Sequence, residues 1–121
     1  LRALVVEDNE LNMEIASFML EDNGIIVDCA KDGLEAIGKF EKSEPGYYDV
    51  ILMDIMMPNL NGWDTTRRIR SMKRSDAERV PVIAMSANAF ESDIQECLKA
   101  GMDGHIAKPI TMELLKEKLA K

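Results

Sequence analysis

Apolar residues in this chain gather into short unbroken runs, separated by segments in which they recur every three or four positions. Runs that are apolar almost throughout read as strands buried on both faces, and the 3.6-residue recurrence between them reads as amphipathic helix. Strands are expected near residues 3–6, 25–30, 50–53, 82–85 and 105–107, and the first, third and fourth of these are the ones apolar almost throughout. Helical stripes are formed by Leu11, Ile15, Phe18 and Met19, by Leu34, Ile37 and Phe40, by Phe90, Ile94, Cys97 and Leu98, and by Met112, Leu115 and Leu119. Residues 62–70 show a weaker stripe but stand where a helix is needed. Asn9, Asp32, Asn61 and Thr111 are placed to cap helices, Asp32 with Glu35 as a capping pair, and Gly24 and Gly101 to end them. Residues 43–46 and 71–81 read as surface connections, the second charge-rich and mobile. Five βα units with right-handed crossovers make an α/β three-layer sandwich, a single domain over residues 1–121.

The ends of the runs carry the chemistry. Leu4-Val5-Val6 leads into Glu7-Asp8, residues 50–53 into Asp54, residues 82–85 into Ser86, and Ile106-Ala107 into Lys108-Pro109. Parallel strands align their carboxyl ends along one sheet edge, and the third strand is central in a doubly wound sheet, so these residues should share a crevice. Three ionised carboxylates repel one another, and oxygen-only donors without a nearby His or Cys suit a hard divalent ion such as Mg²⁺. A carboxylate beside such an ion can attack phosphorus and form an acyl phosphate. Asp54 is the candidate, with Lys108 and Ser86 meeting the transferring oxygens. Singly, each has a plainer reading: Glu7 and Asp8 as helix caps, Asp54 as a loop residue, Ser86 and Lys108 as solvated surface. Convergence is what points to metal-assisted phosphoryl chemistry.

Composition narrows the partners. At 121 residues, 46% hydrophobic and 31% charged, the chain suits one ordinary globular core. A formal net charge of −7 argues against direct nucleic-acid binding and for protein partners or small ions. Cys29 and Cys97 show no metal-type spacing and are expected as buried fillers in a reducing compartment. No apolar stretch reaches the roughly 18 residues of a membrane span, so a cytoplasmic domain without direct membrane contact is expected. The chain opens on Leu1, with no initiator methionine, which suggests a piece of a longer polypeptide.

Taken in order, Glu7-Asp8, the stretch from Asp54-Ile55-Met56-Met57-Pro58 to Gly62, Ser86-Ala87 and Lys108-Pro109 strongly resemble the receiver domain of two-component response regulators. The resemblance covers essentially the whole chain. It implies a flavodoxin-like fold, strand order 2-1-3-4-5 with five helices, in which Asp54 accepts a phosphoryl group from a phosphohistidine on a histidine kinase or phosphotransfer domain. It implies Mg²⁺ (or Mn²⁺) bound by Asp8 and Asp54 directly, Glu7 through water and the main-chain carbonyl of Met56, with Ser86 and Lys108 on the phosphoryl oxygens and a cis peptide between Lys108 and Pro109. Such a domain catalyses its own phosphorylation and dephosphorylation without being a turnover enzyme, and phosphorylation often alters dimerisation in this family.

The same resemblance assigns switching to Ser86 and to the position three before the lysine, here His105 where Tyr or Phe is commoner; a half-exposed strand residue is the plainer alternative. Met56 and Asn88 hold the positions that tune phosphoryl lifetime, and Met56 cannot orient water by strong hydrogen bonding. Trp63 is expected to pack its ring, and the basic stretch Arg67-Arg68-Ile69-Arg70 with Lys73-Arg74 to be a solvated face. A haloacid-dehalogenase-like phosphatase would need a second Asp two residues after the nucleophile, where Met56 stands. A pseudo-receiver would lack one of the signature residues, and none is missing. The stretches 86–90 and 101–110 look most like receivers of hybrid sensor histidine kinases, with a stand-alone receiver as the alternative.

Overall fold

The computed structural model describes residues 1–57, 60–86, 91–107 and 111–119. The chain alternates β1 (Arg2–Val6), α1 (Glu10–Asp22), β2 (Ile26–Ala30), α2 (Gly33–Lys42), β3 (Val50–Asp54), α3 (Gly62–Arg70), β4 (Val82–Ser86), α4 (Glu91–Ala100), β5 (Gly104–Ala107) and α5 (Met112–Leu119). All five strands are parallel, in the order β2-β1-β3-β4-β5. The expected flavodoxin-like architecture is thus the observed one. Strands β3 and β4 are buried at every residue and β1 at all but Arg2, while β2 and β5 form the edges.

Two apolar layers sandwich the sheet. On one side Ala16 and Leu20 of α1 and Leu115 of α5 pack on Val5, Leu52, Ile83 and Met85. On the other, Phe40 of α2, Ile69 of α3 and Cys97 of α4 pack on Leu4, Ile51, Met53 and Val82. The weak stripe of α3 is explained by its buried threonines. Thr65 and Thr66 are fully buried, and their hydroxyls donate to the carbonyls of Asn61 and Gly62, both at 2.8 Å. A hydroxyl satisfied inside its own helix fills core space much as an apolar side chain does.

The local signals hold. Asn9, Asp32, Asn61 and Thr111 each accept a backbone N–H three residues on, at 2.8–3.2 Å. Gly24 and Gly101 take φ of 80° and 98°, the left-handed region where a Cβ is costly.

Three expectations are corrected. The stripe on α1 points largely outward, with Leu11 65%, Ile15 53% and Phe18 75% exposed, because the small Ala16 and Leu20 make the close approach to the sheet. Leu34 and Leu98 are also exposed. Cys97 is buried, but Cys29 is only half-buried. The basic stretch is not simply a solvated face: Arg70 and Arg74 are mostly buried and bind backbone across the 71–81 connection. Arg70 donates to the carbonyls of Ala77, Val80 and Gly101. Arg74 pairs with Asp76, donates to the carbonyl of Phe40 and lies 4.3 Å over the Phe40 ring.

Candidate functional site

Each acidic residue of the site is delivered by a strand end or the turn after it. Val6 is paired with Met53, so β1 and β3 end side by side. Beyond Val6, the Glu7 N–H donates to the carbonyl of Ala30 at 3.0 Å, which carries the parallel β1–β2 ladder to the strand ends. One carboxylate oxygen each from Glu7, Asp8 and Asp54 lie within 4.8 Å of one another. Glu7 and Asp54 are both only 4% exposed, whereas Asp8 is exposed.

Two buried carboxylate oxygens within 4.8 Å of one another, each carrying a unit charge, repel by about 3.5 kcal/mol or more at an effective dielectric near 20. Backbone amides answer part of that charge: the Asn9 N–H donates to Glu7 Oε2, and the Met56 N–H to Asp54 Oδ1, both at 3.3 Å. Three hard oxygen donors converging at one strand-end crevice fit a divalent cation of the Mg²⁺ type. The start of α1 adds its positive end beside the same group, since Asn9 caps that helix.

Asp54 is also gripped from behind. The Gly62 N–H donates to the carbonyl of Ile55 at 2.9 Å, and a Cβ placed on Gly62 would lie 2.4 Å from the Asp54 carbonyl oxygen. Helix α3 therefore begins in contact with the backbone that carries the acid. The sequence showed the Asn61 cap but not this contact.

Ser86 ends β4 at 6% exposure, and its Oγ lies 2.7 Å from His105 Nε2 on β5. Both residues were singled out from sequence; their direct bond was not. The Met56 side chain is 74% exposed and does not pack into the core. Trp63 does pack on the core, and its Nε1–H donates to Cys97 Sγ at 3.3 Å. Lys108, Pro109 and Asn88 lie outside the described residues, and with them the expected cis peptide and two assigned roles.

Comparisons with known proteins agree with the fold. A family model described as "Response regulator receiver domain" matches residues 3–120. Hybrid signal transduction histidine kinase L of Dictyostelium discoideum is 40% identical over 121 residues, covering 99% of this chain and 7% of the kinase. The chain spans only a small fraction of the length of such curated relatives, 15% in the case of probable histidine kinase 1 of Oryza sativa subsp. indica. Among solved structures, the receiver domain of sensor histidine kinase PA1611 from Pseudomonas aeruginosa superposes with a TM-score of 0.85 at 36% identity, covering 99% of this chain and 98% of that one. That structure has a magnesium ion coordinated in its active site cleft. The co-crystal of the Saccharomyces cerevisiae histidine phosphotransfer protein Ypd1 with the receiver domain of Ssk1 gives a TM-score of 0.86 at 27% identity, covering 99% and 86%.

Proposed function

This chain belongs to the response regulator receiver domain family, and on that premise we propose that Asp54 is the residue that takes a phosphoryl group from a phosphohistidine on a partner protein. The observation that carries the reading is the meeting of Glu7, Asp8 and Asp54 at one strand-end crevice. An Asp54 carboxylate oxygen forms the new bond to phosphorus as the bond from phosphorus to histidine nitrogen breaks, and the imidazole leaves with a proton from solvent. Asp8 and Asp54 would hold Mg²⁺ or Mn²⁺ directly, Glu7 through water, with the main-chain carbonyl of Met56 as a further ligand. When bound, the ion neutralises charge on the transferring oxygens.

The chain's own groups do the rest. Burial keeps bulk water from Asp54, and the Met56 N–H orients its carboxylate. Ser86, from β4, donates its hydroxyl to a phosphoryl oxygen, and Lys108 is given the matching cationic role on the sequence motif alone. Met56 offers no acid two residues after Asp54, so repeated hydrolysis of the haloacid-dehalogenase kind has no general acid there.

The donor is a histidine kinase or a histidine phosphotransfer domain. Exposed Leu11, Ile15 and Phe18 on α1, which starts right after the acidic pair, give such a protein an apolar surface beside the acceptor. Kinship with hybrid kinases supports a receiver segment of a hybrid sensor histidine kinase. No helix among the described residues is long and apolar enough to cross a membrane, which is consistent with a cytoplasmic segment of such a sensor.

Incubation with Mg²⁺ and a small acyl-phosphate donor, followed by intact mass, tests the reading. A single phosphoryl adduct that needs the divalent ion and disappears in Asp54→Ala is expected. No adduct on the wild-type chain, or one undiminished in Asp54→Ala, refutes it.

A further inference from the structure

The chain holds nine methionines, all of them among the described residues, and every one but Met56 is buried or half-buried. Met56 is 74% exposed. Its N–H donates to Asp54 Oδ1 at 3.3 Å, so this side chain springs from the backbone that lines the acceptor. Asp54 itself is only 4% exposed, and water therefore reaches it from the solvent side of the crevice, where Asp8 and Met56 stand exposed. A thioether gives such a water little to bind, because its sulfur is a weak acceptor and carries no proton to donate.

We propose that Met56 is a redox modification site: hydrogen peroxide converts its thioether to the sulfoxide, and the sulfoxide shortens the life of a phosphoryl group on Asp54. The inference rests on the acceptor role proposed for Asp54. The sulfur electron pair attacks one peroxide oxygen, the O–O bond breaks, and the departing hydroxide takes up the remaining proton and leaves as water. Sulfur is oxidised by two electrons and the peroxide is reduced by two. Access sets the selectivity, since the oxidant meets first the sulfur that solvent meets. The new sulfoxide oxygen is polar and accepts a hydrogen bond from water where the thioether could not. The oxygen of that water attacks phosphorus, the bond from phosphorus to the Asp54 carboxylate breaks, inorganic phosphate departs and a proton passes to solvent. Enzymatic reduction of the sulfoxide restores the thioether, so the change is reversible.

Limiting hydrogen peroxide, followed by a thiol to reduce any oxidised Cys29 and then by peptide mass mapping, should place the first oxygen on Met56. The partly oxidised chain is then loaded with Mg²⁺ and the acyl-phosphate donor, desalted into Mg²⁺ buffer and followed by intact mass. Oxidised and unoxidised molecules differ in mass, so both decays are read in one sample. The oxidised population should lose its phosphoryl group about fivefold faster, the scale of one added hydrogen bond. Methionine sulfoxide reductase should return it to the slower decay. In Met56→Leu, which has no sulfur at this position, peroxide-treated and untreated samples should decay alike.

A first oxygen on any other methionine overturns the proposal. So does equal or slower loss of phosphate from the oxidised population, or a peroxide effect in Met56→Leu that matches the one in wild type; in these cases the phosphoryl adduct keeps the Asp54 reading intact. Absence of any phosphoryl adduct on the untreated wild-type chain removes both.

Discussion

Two helical glycines, given the same methyl group, should move stability in opposite directions. At Gly38, inside α2, an added Cβ meets nothing within 4 Å. Alanine there removes backbone freedom from the unfolded chain and should stabilise by about 0.5–1 kcal/mol. At Gly62 the same Cβ would lie 2.4 Å from the Asp54 carbonyl oxygen and 3.0 Å from Ile55 Cα. Both are backbone atoms, and β3 is clamped between β1 and β4, so neither can rotate aside. Relief requires α3 to back away by about 1 Å, judged against an ordinary non-bonded contact of about 3.5 Å. Overpacking of this kind costs about 1–3 kcal/mol, against a helix-propensity gain below about 1 kcal/mol. A net loss of about 1–2 kcal/mol corresponds to a melting temperature lower by about 4–8 °C, whereas Gly38→Ala should raise it by about 2–4 °C. Thermal unfolding by far-UV circular dichroism reads both, and phosphoryl uptake by intact mass should slow only in Gly62→Ala. A Gly62→Ala protein that melts at or above the wild-type temperature would show that α3 is not pinned against β3.

Other expectations follow from the charged and polar contacts. Burial, then the hydrogen bond to Asp28 and its charge, hold the Tyr48 hydroxyl above its ordinary value of 10.0, so the folded chain keeps this proton where the unfolded chain loses it. That contribution to stability is complete below pH 10 and is lost as pH rises beyond it; urea midpoints on either side of pH 10 should fall less steeply for Tyr48→Phe than for wild type. Burial pushes the Asp76 carboxyl up, but hydrogen bonds from Arg74 and the Gly46 N–H, with the Arg74 charge, outweigh it and hold the group below its ordinary 3.8. The stability it contributes is present above pH 3.8 and lost as pH falls through the folded value, so the deficit of Asp76→Asn should shrink in acid. Arg74→Met, which strands Asp76, should cost about 3 kcal/mol in urea unfolding at neutral pH. The exposed Met56 thioether has no strong hydrogen-bonding group with which to hold an attacking water; if the proposed role of Asp54 holds, Met56→Asn should shorten the phosphoryl half-life read by mass, and an unchanged half-life would defeat that reasoning.

Much of the fold was legible because its signals are local. Near-continuous apolar runs marked β1, β3 and β4 as the inner strands, and the Asn9, Asp32, Asn61 and Thr111 caps lie where the sequence placed them. The acidic cluster was legible for a related reason. In a parallel sheet, which residues stand at the carboxyl ends follows from where the runs stop, so Glu7, Asp8 and Asp54 could be brought together before any coordinates.

What the sequence misplaced depends on distances it does not encode. Periodicity shows that Leu11, Ile15 and Phe18 share a side of α1, but which side faces the sheet is settled by packing, and the small Ala16 with Leu20 won the inner position. Arg70 and Arg74 look like solvated charge until the carbonyls of Phe40, Ala77, Val80 and Gly101 are brought around them by chain far away in sequence. The order of residues along the chain thus determined the elements, their sequence and the set of reactive side chains at one sheet edge. Only the tertiary structure decided the Ser86–His105 bond, the grip of Gly62 on Asp54 and the outward face of α1, because each depends on how closely elements distant in sequence approach one another.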